Sequence, residues 1–182
     1  MKSKTKDWVF QGLLIALGVV LTRFASIRIN IGGVEGIRIG LGTLPILIAG
    51  FMFGPLPGTL VGALTDIIGY LLSPMGGPYF PHFTLTTALR GTIAGLFAYS
   101  RRPLSPKTKI LSAILIAEIG VGLFLTPYFL HTIFGIPWKI LLLPRLVATP
   151  IQIAIYTYTI LLLNHTPLFT ISLANYQEKN LS

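Results

Sequence analysis

The chain contains no cysteine among its 182 residues. Disulfides, thiol nucleophiles and thiolate metal sites are thereby excluded. Charge is nearly as scarce, with 14 Lys and Arg against 5 Asp and Glu, 10% of the chain in all. Soluble domains carry roughly 25% charged residues, so this sequence has too little charge to cover a water-facing surface. An ordinary soluble enzyme, a disordered tail and a nucleic-acid-binding domain are all excluded. The formal net charge of +9 does not revive the last of these, because the basic residues are not gathered on one polar face. No segment reads Gly-x-x-x-x-Gly-Lys-Ser/Thr, so there is no phosphate-cradling loop. His82, His131 and His165 show no metal-ligand spacing. No serine sits in a nucleophile motif and no carboxylate pair suggests hydrolysis. The sequence therefore predicts no enzyme, no metal and no cofactor.

What the chain has instead is apolar length, 53% of its residues. The runs predict an all-α membrane protein, a single domain over residues 1–182. It is a bundle of six transmembrane helices at about 8–25, 41–53, 58–72, 83–99, 110–130 and 140–164. Gly54-Pro55-Leu56-Pro57-Gly58 and the stretch Ser73 to Pro81 read as breaks, because proline removes a helix donor and clashes with the preceding turn. The second and third runs are short for a full crossing and are expected to start or stop in protein-lined surroundings. The first run follows Lys2, Lys4 and Lys6 but leads to Arg23 rather than a small-residue cleavage site, and reads as a retained span.

Lys2, Lys4 and Lys6, then Arg101, Arg102, Lys107 and Lys109, then Lys179, are separated by even numbers of spans. They share one side, and the positive-inside tendency makes it the cytoplasm. Both termini are expected there, in a multi-pass protein of the plasma membrane. The loop between the first two spans then faces outward. Ile27, Ile29 and Ile31, and then Ile37 and Ile39, alternate with polar residues around Gly32-Gly33, the pattern of a small β-hairpin. With Arg23, Arg28 and Arg38 it is unusually basic for an outer loop. Those arginines either reach lipid phosphates or capture an anion.

Ionisable residues inside spans are costly and mark function by default. Asp66 and Arg90 come level in an antiparallel pair of spans, as do Arg90 and Glu118, so Asp66, Arg90 and Glu118 form a candidate charge cluster. It serves either as a register lock or as the polar floor of a binding cavity. Arg145, higher in the last span and with no acidic residue at its level, is the better candidate for a substrate anion. Small residues recur at four-residue spacing, as Gly12 and Ala16, Gly58 and Gly62, and Gly91 and Gly95. Such pairs allow close helix approach, within the bundle or against a partner. The outer segment Tyr79, Phe80, His82, Phe83 and Thr84 is either an interfacial aromatic belt or a wall that stacks on a flat heterocycle.

The stretches Arg38-Ile-Gly-Leu-Gly-Thr-Leu-Pro45, Ala49-Gly-Phe-Met-Phe-Gly-Pro55, Gly62-Ala-Leu-Thr-Asp66-Ile-Ile-Gly69 and Gly77-Pro-Tyr-Phe-Pro-His-Phe-Thr-Leu85 resemble the S components of energy-coupling factor (ECF) vitamin transporters. They are most similar to the folate-specific members. His82 stands where the family usually has Gly. The resemblance implies high-affinity vitamin binding in an outward cavity made by the outer loops and later helices. It also implies docking onto an EcfT-type transmembrane coupling protein with two cytoplasmic ATPases, and toppling of the subunit in the bilayer to release its cargo. Gly12 and Ala16 hold the place of the family's docking motif, which is usually built of alanines. Folate has flat rings for Tyr79, Phe80 and Phe83 and two carboxylates for arginines such as Arg23, Arg28, Arg38 and Arg145, with Arg90 counted among the binding residues as part of the cavity's polar floor. The alternatives are another flat vitamin such as riboflavin, a channel or facilitator that needs no partner, and a ligand-free membrane scaffold.

Overall fold

Proline and glycine set the helix ends, though not always as stops. The structure, a computed structural model, describes residues 2–24, 26–31, 34–74, 78–100 and 105–164, and for residues 2–4, 27–31, 34–39 and 164 the backbone alone. The Gly32-Gly33 turn, Gly76 and Gly77, Arg101 and Arg102, and the tail with His165 and Lys179 lie outside the described residues. In chain order the elements are α1 (Lys2–Arg23), β1 (Ser26–Ile31), β2 (Val34–Gly40), α2 (Thr43–Phe53), α3 (Pro55–Leu72), α4 (Pro81–Ala98), α5 (Pro106–Leu115), a π-helical stretch (Ile116–Leu125), α6 (Thr126–Phe134) and α7 (Trp138–Asn164).

Pro55, Pro81 and Pro106 each open a helix. Proline's fixed φ suits the first helical position, where the missing N–H has no acceptor to serve. The wide break expected from Gly54 to Gly58 therefore shrinks to Gly54, whose φ of 98° turns the chain between α2 and α3. That φ lies where residues with a Cβ rarely go. Two other span starts move for the same reason, α4 beginning at Pro81 and the fifth run at Pro106, while the first, second and last helices begin at Lys2, Thr43 and Trp138 rather than at 8, 41 and 140.

Four helical stretches among the described residues are long and apolar enough to cross a membrane: Thr5–Arg23, Pro55–Leu72, Pro106–Phe134 and Trp138–Leu163. The third of these runs through α5, the π-helical stretch and α6. α2 has only 11 residues, about 16 Å of helix, roughly half a hydrocarbon core. It is also the most enclosed element, with Thr43, Leu44, Pro45, Ile46, Leu47, Ala49, Gly50 and Phe51 buried. Of the two residues that lead into it, Gly42 is buried and Leu41 is exposed.

β1 and β2 pair antiparallel, from Ser26 opposite Gly40 to Ile31 opposite Val34, with a bulge between Ile29 and Asn30. The main core gathers Leu44, Leu47 and Phe51 of α2, Ala94 and Ala98 of α4, Ile110, Ala113 and Ile114 of α5, Ala117, and Tyr156 and Ile160 of α7. A smaller cluster of Leu130, Ile136 and Leu141, joined by Phe83, closes the end where α6 turns into α7.

α2, α3 and α4 meet backbone to backbone. A Cβ on Gly58 would lie 2.5 Å from the Gly91 carbonyl oxygen, and one on Gly62 2.5 Å from that of Thr87. Cβ atoms on Gly50, Gly91 or Gly95 would likewise strike backbone across the seam. Gly58, Gly62, Gly91 and Gly95 thus serve internal packing. Gly12 differs, for a Cβ there would meet nothing within 4 Å, and Ala16 is exposed beside it.

Candidate functional site

Two polar groups occupy the bundle, one at the start of α4 and one at its middle. The first is a chain of hydroxyls ending on a carboxylate. Thr84 Oγ1 donates to Asp66 Oδ2 at 2.6 Å, and Tyr79 Oη stands 2.5 Å from Thr84 Oγ1. Threonine has one hydroxyl proton, and Asp66 takes it, so Tyr79 donates to Thr84. The Tyr70 ring lies 5.3 Å from that of Tyr79, tilted by 55°. Tyr70 follows Asp66 by four residues on α3, so the two share a helix face. A half-buried carboxylate is thereby framed by two tyrosine rings.

The rest of the aromatic segment turns the other way. Phe80 meets Phe134 edge-on at 4.8 Å and Phe83 at 6.3 Å. The His82 ring lies 4.8 Å from that of Phe129. Phe80, His82 and Phe83 thus pack toward α6, while Tyr79 and Thr84 face α3. His131 sits 5.1 Å from Trp138, and its Nδ1 lies 2.9 Å from the Ile136 carbonyl oxygen. Among the described residues no group of three or more His, Asp or Glu is placed to hold a metal.

The second group centres on the π-helical stretch. Arg90 donates through Nη1 to Thr43 Oγ1 at 3.2 Å, and its Nε lies 3.7 Å from Glu118 Oε1. Glu118 is 2% exposed. Neither Arg90 Nε nor Glu118 Oε1 has a hydrogen-bond partner, so they attract each other by charge alone. Arg145 joins them from α7, its Nη1 donating to the Gly122 carbonyl oxygen at 2.8 Å. A Cβ on Gly122 would stand 3.0 Å from Arg90 Nη2 and 3.2 Å from Glu118 Oε2. The glycine therefore leaves room for the ion pair over the helix backbone. Arg145, expected to stand apart, is drawn to the neighbourhood of Arg90 and Glu118 through Gly122, because its side chain reaches between helices.

The arginines expected on the outer side divide. Arg23 donates to the Ser73 carbonyl oxygen at 3.0 Å, and its guanidinium packs over Gly69. It caps the C-terminus of α3, where cations suit the helix dipole. Arg28 and Arg38 are cross-strand partners in the hairpin register, and their side chains lie outside the described residues. Gly12 and Ala16 sit on the open face of α1.

Sequence reasoning passed over Thr43, Tyr70, Gly122, Pro127 and Tyr156. Four of them had little to mark them among so many similar residues. Pro127, inside an otherwise unbroken apolar run, was a readable signal.

A family model described as ECF-type riboflavin transporter, S component, matches residues 2–170. The curated folate transporter FolT of Clostridium novyi is 36% identical over 157 residues, covering 86% of this chain and 87% of its own. FolT of Leuconostoc mesenteroides is 27% identical over 164 residues, covering 85% and 84%. A crystal structure described as FolT bound with folic acid superposes with a TM-score of 0.75 at 32% identity, covering 91% of this chain and 95% of the other.

Proposed function

We propose a function from a fixed premise: the chain belongs to the S components of energy-coupling factor transporters. It is a transporter subunit and not an enzyme. On our reading it is the high-affinity folate-binding subunit, and residues 1–182 form one membrane domain. The observation that carries the folate assignment is the breadth of the identity with a curated folate transporter.

The geometry supports that ligand. A pterin presents neighbouring N–H donors along one edge and a flat π-face. A carboxylate can accept two such bonds side by side, and tyrosine rings stack on flat heterocycles. Asp66, held by Thr84 and flanked by Tyr70 and Tyr79, offers both. We assign this group to the pterin. The glutamate end of folate carries two carboxylates, for which we assign Arg145 and the hairpin pair Arg28 and Arg38. Arg23 and Arg90 support the site from their contacts with Ser73 and Thr43. Phe80, His82 and Phe83 form the wall toward α6.

Six crossings, with both termini in the cytoplasm of a plasma-membrane protein, fit the element order when α2 is completed by the chain entering it. The subunit has no nucleotide loop of its own, so its energy comes from two cytoplasmic ATPases joined through an EcfT-type coupling protein. Gly12 and Ala16, on an open face with room above them, provide the docking patch. Small residues let helix backbones approach closely in lipid, where van der Waals contact drives association.

Riboflavin is the second reading, favoured by the description of the matching family model. Titration of the purified chain separates the two, with Trp8 and Trp138 fluorescence as the signal. Saturable folate binding at one site per chain, with riboflavin weaker by orders of magnitude, is the expected result. Tight riboflavin binding overturns the ligand and keeps the family. Uptake by the chain without ATPase and coupling subunits would overturn the energised mechanism.

A further inference from the structure

Pro127 begins α6 inside the helical run from Pro106 to Phe134. A proline there has no N–H to give and crowds the carbonyl a turn earlier. The backbone answers by widening, and the ten residues Ile116–Leu125 are π-helical. In that register a carbonyl bonds the N–H five residues on, and the Thr126 N–H accordingly goes to the Val121 oxygen. The next carbonyl, that of Gly122, would need the N–H of residue 127, which is proline. The Thr126 N–H is already engaged. Arg145 fills the place, its Nη1 lying 2.8 Å from the Gly122 oxygen. Glycine at 122 keeps that surface open, and the Arg90–Glu118 pair occupies its other side.

We propose that Pro127 is a positioning residue for Arg145: by orphaning the Gly122 carbonyl it creates a fixed acceptor that holds one edge of the guanidinium and orients the remainder toward the ligand carboxylate. The inference rests on the folate reading and names what sets the geometry of its anion end. A free arginine side chain has many rotamers to lose on binding. One anchored at a buried carbonyl has already lost most of them, so its other N–H groups meet a carboxylate at smaller cost. The anchor also explains how a bundle tolerates a proline within the bilayer, since a neighbouring helix re-satisfies the freed backbone group.

Pro127→Ala tests it, because alanine restores an N–H that Gly122 can use and releases Arg145. The purified chain is titrated with folate and with a methylpterin that has no carboxylate. The expected result is folate affinity reduced by roughly tenfold, with methylpterin affinity within about twofold of wild type. A merely structural proline would lower both alike or neither. Folate affinity unchanged in a folded Pro127→Ala protein overturns the proposal. Arg145→Lys gives a second arm that does not depend on how that variant folds. Lysine keeps a cation and a donor for Gly122 but lacks the second edge of the fork. We expect near-normal melting with folate selectively weakened, and wild-type folate affinity overturns the proposal by itself. A wild-type chain that binds no folate removes the functional reading and this inference together, whereas folate binding that ignores both substitutions removes the inference and the assignment of Arg145 and leaves the folate reading standing.

Discussion

The Tyr156 hydroxyl of α7 donates to the carbonyl oxygen of Gly40, the last residue of β2, at 2.6 Å. Tyr156 is 1% exposed. The bond spans 116 residues of sequence and fixes the base of the hairpin to the final helix. It also satisfies backbone at the point where the chain enters the bundle ahead of the short α2. Tyr156→Phe keeps the ring packing and takes the donor from one half-buried carbonyl, at a cost of about 1 kcal/mol. The melting point should fall by roughly 2–4 °C per kcal/mol for a chain of this size. Calorimetry or a thermal shift in detergent checks it, and an unchanged transition would mean another donor replaces the hydroxyl.

Asp66→Asn exchanges an acceptor-only carboxylate for an amide of equal size that presents a donor to the ligand edge. Ligand affinity should fall by about tenfold or more, as expected when a charge-assisted bond is lost. The fold should persist, because an amide oxygen still accepts from Thr84. Isothermal titration beside a melting curve separates the two effects. Equal affinity in the variant would remove Asp66 from the ligand.

Glu118→Gln leaves the Arg90 guanidinium without its facing charge. Breaking a buried pair in this way costs about 3–5 kcal/mol, and the amide offsets part of it. The double variant Arg90→Gln, Glu118→Gln should melt higher than the sum of the single losses predicts, because the two residues are in contact. Strict additivity in the cycle would show that the pair does not stabilise the bundle.

Gly12→Leu and Ala16→Leu add bulk where α1 has open space. Neither should change ligand affinity or melting of the isolated chain. Both should block uptake when the coupling protein and ATPases are co-expressed. Full transport in both variants would place the docking face elsewhere.

The parts of the fold that were legible are those set by local chemistry. Apolar runs marked the helices, and alternating isoleucines around Gly32-Gly33 suggested the strands. Proline misled about position, not existence: at 55, 81 and 106 it opens helices that were expected to start later. Counting residues from span ends brought Arg90 level with Glu118, and they stand 3.7 Å apart. The same count brought Asp66 level with Arg90, yet Asp66 accepts from Thr84, nearly two turns earlier on α4. Counting gives depth along a helix and says nothing of rotation about it. The hold of Arg23 on Ser73 and of Arg145 on Gly122 was illegible for another reason. Each depends on a carbonyl oxygen, a group every residue carries, left in need of a donor by local backbone geometry.

The glycine seam of α2, α3 and α4 bears on how such a subunit moves. Side chains can exchange rotamers and let packed helices slide, but bare backbone set against backbone has no rotamers to exchange. Gly50, Gly58, Gly62, Gly91 and Gly95 weld three helices into one stiff block. When the subunit opens for its cargo, the joint must lie where contacts are made by side chains. That leaves the elements outside the block to articulate: α1, the hairpin, α5, the widened helical stretch, α6, and α7 with its internal Pro144 and Pro150.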